Sequence, residues 1–271
     1  MTQTMTDPSA LYIDLLKRCL TRELFDEHYR IIPHNTKTTL KAVRSTAYAA
    51  INRAMGAVGL ALVQKGIRRG ETMIGPEALD NIDFCVRSIL ADNVAGDFIE
   101  TGVWKGGSCI LMRGLLEVLE PEGDRRVFLA DSFQGLPKSN PDKYPEDRGL
   151  NLWADSLDIS VEEVKANFQR YKLLDDRVVF LPGWFKDTLP NAPIERLSLL
   201  RLDGDLYEST IQALENLYPK LSPGGYCIID DYGCFDACAK AVHDYRDRQG
   251  ITEPIKRVDW SVVFWRRTPA S

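Results

Sequence analysis

Asp97-Phe98-Ile99-Glu100-Thr101-Gly102-Val103-Trp104-Lys105-Gly106-Gly107-Ser108 is the stretch on which the fold turns. A short apolar strand ends on a carboxylate, a glycine turn follows, and small residues open a helix at Ser108. Strand, turn and helix in that order create a ligand pocket at the carboxyl edge of an α/β sheet. The charge at the turn narrows what the pocket holds. Glu100 repels a pyrophosphate seated on the amides that follow, and it suits a ligand with an ammonium or sulfonium group. S-adenosylmethionine has both, with a carboxylate for the helix N-terminus and a ribose for a second acid. On this reading Glu100, Thr101, Gly102, Trp104, Gly106 and Ser108 line the cofactor.

Downstream of Asp97 the pattern alternates. Apolar runs predict strands at 97–102, 126–132, 177–183, 197–203, 224–230, 254–259 and 261–267. Helices are predicted at 107–119, 160–173, 207–220 and 236–249. Apolar strands alternating with helices give an α/β fold with a mostly parallel sheet covered on both faces. The last two strands are too close for a parallel crossover, so they form an antiparallel hairpin. Upstream, Leu11, Leu15, Leu16, Cys19 and Leu20 share a helix face within 11–25. An Ala-rich helix is expected at 36–65, a mobile connection at 66–75, and an amphipathic helix through Leu79, Ile82, Val86 and Ile89. The boundary falls at 95/96: residues 1–95 are a helical extension and lid, and 96–271 the cofactor-binding domain. The polar insertion 134–158, with Pro137, Pro141, Pro145 and Trp153, reads as an active-site lid or as a disordered surface loop.

Composition limits the function classes. The chain has 271 residues, 44% hydrophobic and 27% charged, with a formal charge of -5. Phosphate backbones call for a basic face, so nucleic acid is not an expected partner. No apolar run approaches the roughly 18 residues of a membrane span, and the first ten residues lack a signal core. A cytoplasmic enzyme acting on a small molecule is expected, and a homodimer is left open. The six cysteines are scattered. Cys234 and Cys238 are the only close pair, and the three histidines do not complete a zinc site.

Carboxylates end four of the first five strands: Glu100, Asp131, Asp203, and Asp230 with Asp231. Ligands bind at that edge in open α/β sheets. Asp131 at the end of the second strand suits two ribose hydroxyls. Ser132 and Phe133 follow it, and Phe133 either stacks on adenine or belongs to the core. Gly183 and Trp184 end the third strand and close the adenine side. Asp203, Asp230 and Asp231 end neighbouring strands, and three adjacent carboxylates do not all stay ionised without a cation. All-oxygen ligation suits Mg²⁺. The alternative is one raised pKa and a metal-free general base. Asp205 sits two residues beyond Asp203, within reach of a substrate oxygen, and is the candidate base. Asp203 is the next candidate and His243 a rival.

These motifs resemble the macrocin O-methyltransferase family, enzymes that methylate deoxysugar hydroxyls on macrolide and aminocoumarin antibiotics. The resemblance runs from about Thr72 to Arg267. It rests on Thr72-Met73-Ile74-Gly75, Glu100 to Gly107, Ala130-Asp131-Ser132-Phe133-Gln134-Gly135, Leu181 to Thr188, Asp203-Gly204-Asp205 and Ile228-Ile229-Asp230-Asp231-Tyr232. It implies the class I methyltransferase sheet of seven mostly parallel strands with a terminal antiparallel hairpin. It also implies S-adenosylmethionine and Mg²⁺, with Asp203, Asp230 and Asp231 as metal ligands and Met73 in a lid over the cofactor. The basic, Ala-rich segment 30–70 departs from the macrolide members and points to the aminocoumarin branch, where the 4-hydroxyl of noviose is methylated. The other readings are a macrolide-sugar or catechol-type acceptor, a nicotinamide-dependent oxidoreductase, and a non-catalytic cofactor-binding subunit. Val103-Trp104 in the turn, and Glu100 before it, speak against the oxidoreductase. The grouped acids speak against a scaffold.

Overall fold

The structure is a computed structural model that describes residues 7–24, 29–30, 61–62, 70–149 and 157–268. Helix α1 (Pro8–Leu20) starts three residues before the expected helix. Asp7 accepts the Ser9 amide and Pro8 takes the first turn, a start signal that apolar periodicity does not show. A two-residue parallel pair, β1 (Tyr29–Arg30) and β2 (Ala61–Leu62), follows. The helix expected over 36–65 lies outside the described residues except at Ala61–Leu62, which are strand and not helix. Helix α2 (Pro76–Ala91) is the amphipathic helix expected before the first long strand.

The main sheet contains β3 (Asp97–Thr101), β4 (Val127–Asp131), β5 (Val178–Pro182), β6 (Leu197–Leu202), β7 (Leu221–Ile229), β8 (Lys256–Arg257) and β9 (Val263–Arg266). Their order is β5-β4-β3-β6-β7-β9-β8. Strands β3 to β7 pair in parallel, and β9 runs antiparallel to both β7 and β8. The terminal hairpin is present, but its connection is longer than expected. Asp259 accepts the amides of Ser261 and Val262, each at 2.7 Å, and curls the chain there. This turn reduces β8 to two residues.

Helices α3 (Gly107–Leu119), α4 (Val161–Arg170), α6 (Tyr207–Leu217) and α7 (Asp236–Gln249) fill the crossovers, with a single turn α5 (Phe185–Thr188) after β5. The expected helix over 207–220 ends at Leu217, and the chain tightens to 3-10 through Pro219. The period of two along each strand sorts its side chains. Phe98, Leu129, Leu199 and Ile228 face α1 to α4, while Ile99, Ala130, Leu200 and Ile229 face α6 and α7. Each such fully buried Leu, Ile or Phe side chain contributes about 1.5–3 kcal/mol. Leu16 of α1 and Leu79 of α2 share one core with Phe98 and Leu111. The described helices before residue 96 are therefore packed into the sheet's own core.

Candidate active site

The carboxyl edge is built by three backbone devices. After β3 the chain reverses at Gly102, with φ of 81° and so close to β6 that a Cβ would lie 1.6 Å from the Asp203 carbonyl oxygen. Only glycine fits that approach. The second device is strain. Trp104, Phe133 and Asp205 hold φ of 45°, 54° and 56° without being glycine, and they follow β3, β4 and β6. Such backbones persist where surrounding contacts fix them, and they cluster at functional sites. The third is Gly107 at the start of α3, whose amide donates to the Glu71 carbonyl at 2.8 Å. A Cβ on Gly107 would clash with Glu71, so the segment from Gly70 to Gly75 lies directly on the helix start. Glu71 is held in turn by the Tyr171 hydroxyl at 2.9 Å. The expected mobile connection is thus anchored over its described part, with Met73 half exposed beside it. The carbonyl of Glu71 thus occupies one donor, the Gly107 amide, of the helix N-terminus expected to hold a ligand carboxylate.

Glu100 is not an open acid. It is 2% exposed, one oxygen accepts from Arg201 and the other from the Cys109 thiol at 2.8 Å, and Ser108 adds a hydroxyl. Burial raises its pKa to about 7 against the pull of Arg201. Asp131 accepts the amides of Val103 and Phe133, both at 2.7 Å, which locks the β3 and β4 turns together. Burial raises its carboxyl and these amides oppose the rise. The Trp104 amide donates as well, and of the roughly four acceptor sites of the carboxylate one remains for a further donor. The Ser132 hydroxyl is spent on Gly135 and Gln134. Phe133 is buried against Phe180, the core alternative of its two readings. The Gly183 amide donates to the Asp131 carbonyl at 2.9 Å and places half-buried Trp184 at the same edge. Thr101 Oγ1 and Trp104 Nε1 are buried at the β3 turn with no partner among the described residues. Buried polar atoms without a partner call for one from outside the chain, such as water or a ligand.

The acids of β6 and β7 meet as expected. Asp203, Asp230 and Asp231 each bring an oxygen to within 4.8 Å of the others, the single such group of metal-capable residues among the described residues. Sequence reasoning missed their counter-charge. Arg201 is 1% exposed inside β6, directly opposite Glu100 in the sheet register. Its guanidinium bonds Glu100, Asp203 at 2.9 Å, and Asp230. A charged residue inside the apolar run Leu199-Leu200-Arg201-Leu202 is the signal that was available, because a buried guanidinium requires acid partners. One cation does not neutralise five acids. Burial, and then repulsion from Asp203, lifts Asp205 to about 7. Burial lifts Asp230 to about 8 although Arg201 pulls it down, and lifts Asp231 well above its ordinary range. Asp205 donates its amide to Asp231 at 2.9 Å and so stands at the rim of the cluster. His243 is exposed on α7 and bonded to the Tyr232 hydroxyl at 2.7 Å.

A second residue missed from sequence is Asp147. It is fully buried within the insertion and accepts the amides of Tyr207 at 2.6 Å and Glu208 at 3.0 Å, the first turn of α6. Leu206 at the N-cap has no side chain able to do this. The insertion is anchored through Tyr144 and Asp147, and Trp153 lies outside the described residues.

A mostly parallel seven-stranded sheet with a terminal antiparallel pair, and acids along its carboxyl edge, defines a class I O-methyltransferase. More narrowly, the chain belongs to the family whose model is described as Macrocin-O-methyltransferase (TylF), which matches residues 9–267. It is similar, at 50% identity over 98% of this chain and 95% of the relative, to 8-demethyl-8-(2,3-dimethoxy-alpha-L-rhamnosyl)-tetracenomycin-C 4'-O-methyltransferase of Streptomyces olivaceus. Demethyldecarbamoylnovobiocin O-methyltransferase of Streptomyces niveus is 44% identical over 96% of this chain and 94% of its own. The solved structure of the O-methyltransferase NovP superposes with a TM-score of 0.80 at 42% identity, covering 96% of this chain and all of that one. The chain is therefore an O-methyltransferase of this family. Among the described residues no helix is long and apolar enough to cross a membrane.

Proposed function

We propose that the protein transfers a methyl group from S-adenosylmethionine to a deoxysugar hydroxyl of a glycosylated antibiotic, with Mg²⁺ at Asp203, Asp230 and Asp231. The observation that carries this reading is the acid cluster beside a turn with unsatisfied polar groups. When bound, the cofactor supplies an electrophilic methyl on sulfonium, and the metal lowers the pKa of a coordinated hydroxyl. The residues fit both groups. Thr101 and Trp104 offer unpartnered polar atoms and Asp131 a spare lone pair to the cofactor, with Met73, Gly102, Gly106, Gly183 and Trp184 around it. Three oxygens within 4.8 Å of one another suit a hard divalent ion.

The chain's own residues would then do the following. Glu100 sits beneath the cofactor turn and acts through Arg201 and the start of α3, not as an open contact. Arg201 holds Asp203 and Asp230 in place from below. Asp205, lifted to about 7 and fixed by Asp231, accepts the proton of the acceptor hydroxyl as the methyl arrives. The strained backbone at Asp205 aims that carboxyl, which favours near-attack geometry. We retain a noviose-type sugar as one acceptor. The 50% identity to the tetracenomycin relative against 44% to the novobiocin relative supports a rhamnosyl acceptor equally well. The six cysteines are free, which supports a reducing, cytoplasmic setting. Intact-mass analysis of deoxysugar glycosides incubated with enzyme and S-adenosylmethionine tests the proposal. Gain of one methyl on the sugar supports it, and methylation of a catechol alone overturns the acceptor class.

A further inference from the structure

We infer that Asp147 is a positioning residue that fixes the acceptor side of the site. The inference rests on the acceptor reading above. The insertion leaves the sheet after β4, on the cofactor half, where Ser132 secures its root. It is secured again at the start of α6, after β6, on the acid half. The sheet order places β3 between these strands, so the two anchors straddle the β3 turn.

The far anchor is unusually complete. Asp147 is 0% exposed, and its two oxygens accept two of the orphan amides of α6. Tyr144 packs on Tyr207 with ring centroids 5.9 Å apart, and the Tyr207 hydroxyl bonds Asp244 of α7 at 2.9 Å. Helix α6 begins two residues after Asp205, whose φ of 56° must be held by its surroundings. One carboxylate from the insertion thus sets both the place of the insertion and the exit of the chain from Asp205. Acceptor contacts on the insertion and the aim of Asp205 are thereby tied through Asp147.

Asp147→Ala and Asp147→Asn test this on the full-length enzyme. The probe is a deoxysugar glycoside that the wild type methylates, with S-adenosylhomocysteine titrated separately by calorimetry. Displacements near 1 Å cost about 10²-fold in rate. We therefore expect kcat/KM for the glycoside to fall about 10–100-fold in Asp147→Ala, with S-adenosylhomocysteine affinity within about twofold of wild type. Asp147→Asn keeps one carbonyl oxygen for one amide and should fall between the two. Limited proteolysis should cut faster within 134–149 in both variants, a readout that needs no acceptor. Acceptor kinetics within twofold of wild type would overturn the inference. So would loss of S-adenosylhomocysteine affinity in the same proportion as activity in both variants. Failure of Asp205 as the base would show separately, as full turnover in Asp205→Asn with the Asp147 effects intact.

Discussion

Replacing Arg201 by Leu removes the cation shared by Glu100, Asp203 and Asp230. Arg201 is 1% exposed and Glu100 2%, so solvent screens that pair little. The Asp203 side chain is 30% exposed, and its bridge adds less. Removing one partner of a buried ion pair costs about 3–5 kcal/mol. For a chain of this size each kcal/mol lowers Tm by about 2 °C, so metal-free Arg201→Leu should melt roughly 6–10 °C below wild type near neutral pH. The pH dependence carries a sign. Burial raises Glu100 to about 7 and Asp230 to about 8, with Arg201 holding both down. An acid with a raised folded pKa binds more protons folded than unfolded. Its stabilising contribution is complete below the ordinary carboxylate range and is lost as pH rises through the folded value. In the wild type this loss ends near the value of about 8 for Asp230. Without Arg201 both pKa values climb, and the loss continues to higher pH. Thermal melts of chelated protein should therefore show a larger deficit at about pH 9 than at about pH 6. Arg201→Lys, a point charge without a fork, should melt between the two. A Tm within about 2 °C of wild type at both values, or a deficit that shrinks with rising pH, would refute the reasoning.

Asp205→Asn keeps shape and loses proton acceptance, so turnover should fall about 10²–10⁴-fold while Mg²⁺ and cofactor affinities hold. Asp203→Asn should lose metal affinity together with rate, and near wild-type turnover in Asp205→Asn would move the base to Asp203. Asp131→Ala should weaken S-adenosylhomocysteine by about 1–3 kcal/mol in calorimetry. An unchanged affinity would show that Asp131 serves only the backbone amides it holds.

The fold was legible because its signals are local. Apolar runs with a period of two placed each long strand within a few residues, and the closeness of the last two strands required the hairpin. The strand-end acids were legible as a set, since topology alone brings β6 and β7 side by side. What escaped was the pairing between elements. Glu100 reads as an open acid until β6 is known to lie beside β3 with Arg201 opposite. Asp147 reads as one more polar loop residue, because no spacing rule links it to α6, some 60 residues away. The Asp7 cap and the Asp259 turn are short-range, and they rest on side-chain to amide bonds that hydrophobic periodicity does not register. The insertion 134–158 is ambiguous in sequence because proline and polarity suit an active-site lid and a loose loop alike.

The central claim is metal-assisted methyl transfer at the Asp203, Asp230 and Asp231 cluster. Its most direct test is intact-mass turnover of a deoxysugar glycoside with S-adenosylmethionine before chelation, after exhaustive EDTA, and after Mg²⁺ is returned. S-adenosylhomocysteine binding is followed in parallel. The account predicts methylation that vanishes on chelation, returns with Mg²⁺, and leaves cofactor binding in place throughout. Full turnover after chelation would contradict it and leave a metal-free base, with Asp205 held near pH 7, to do the work.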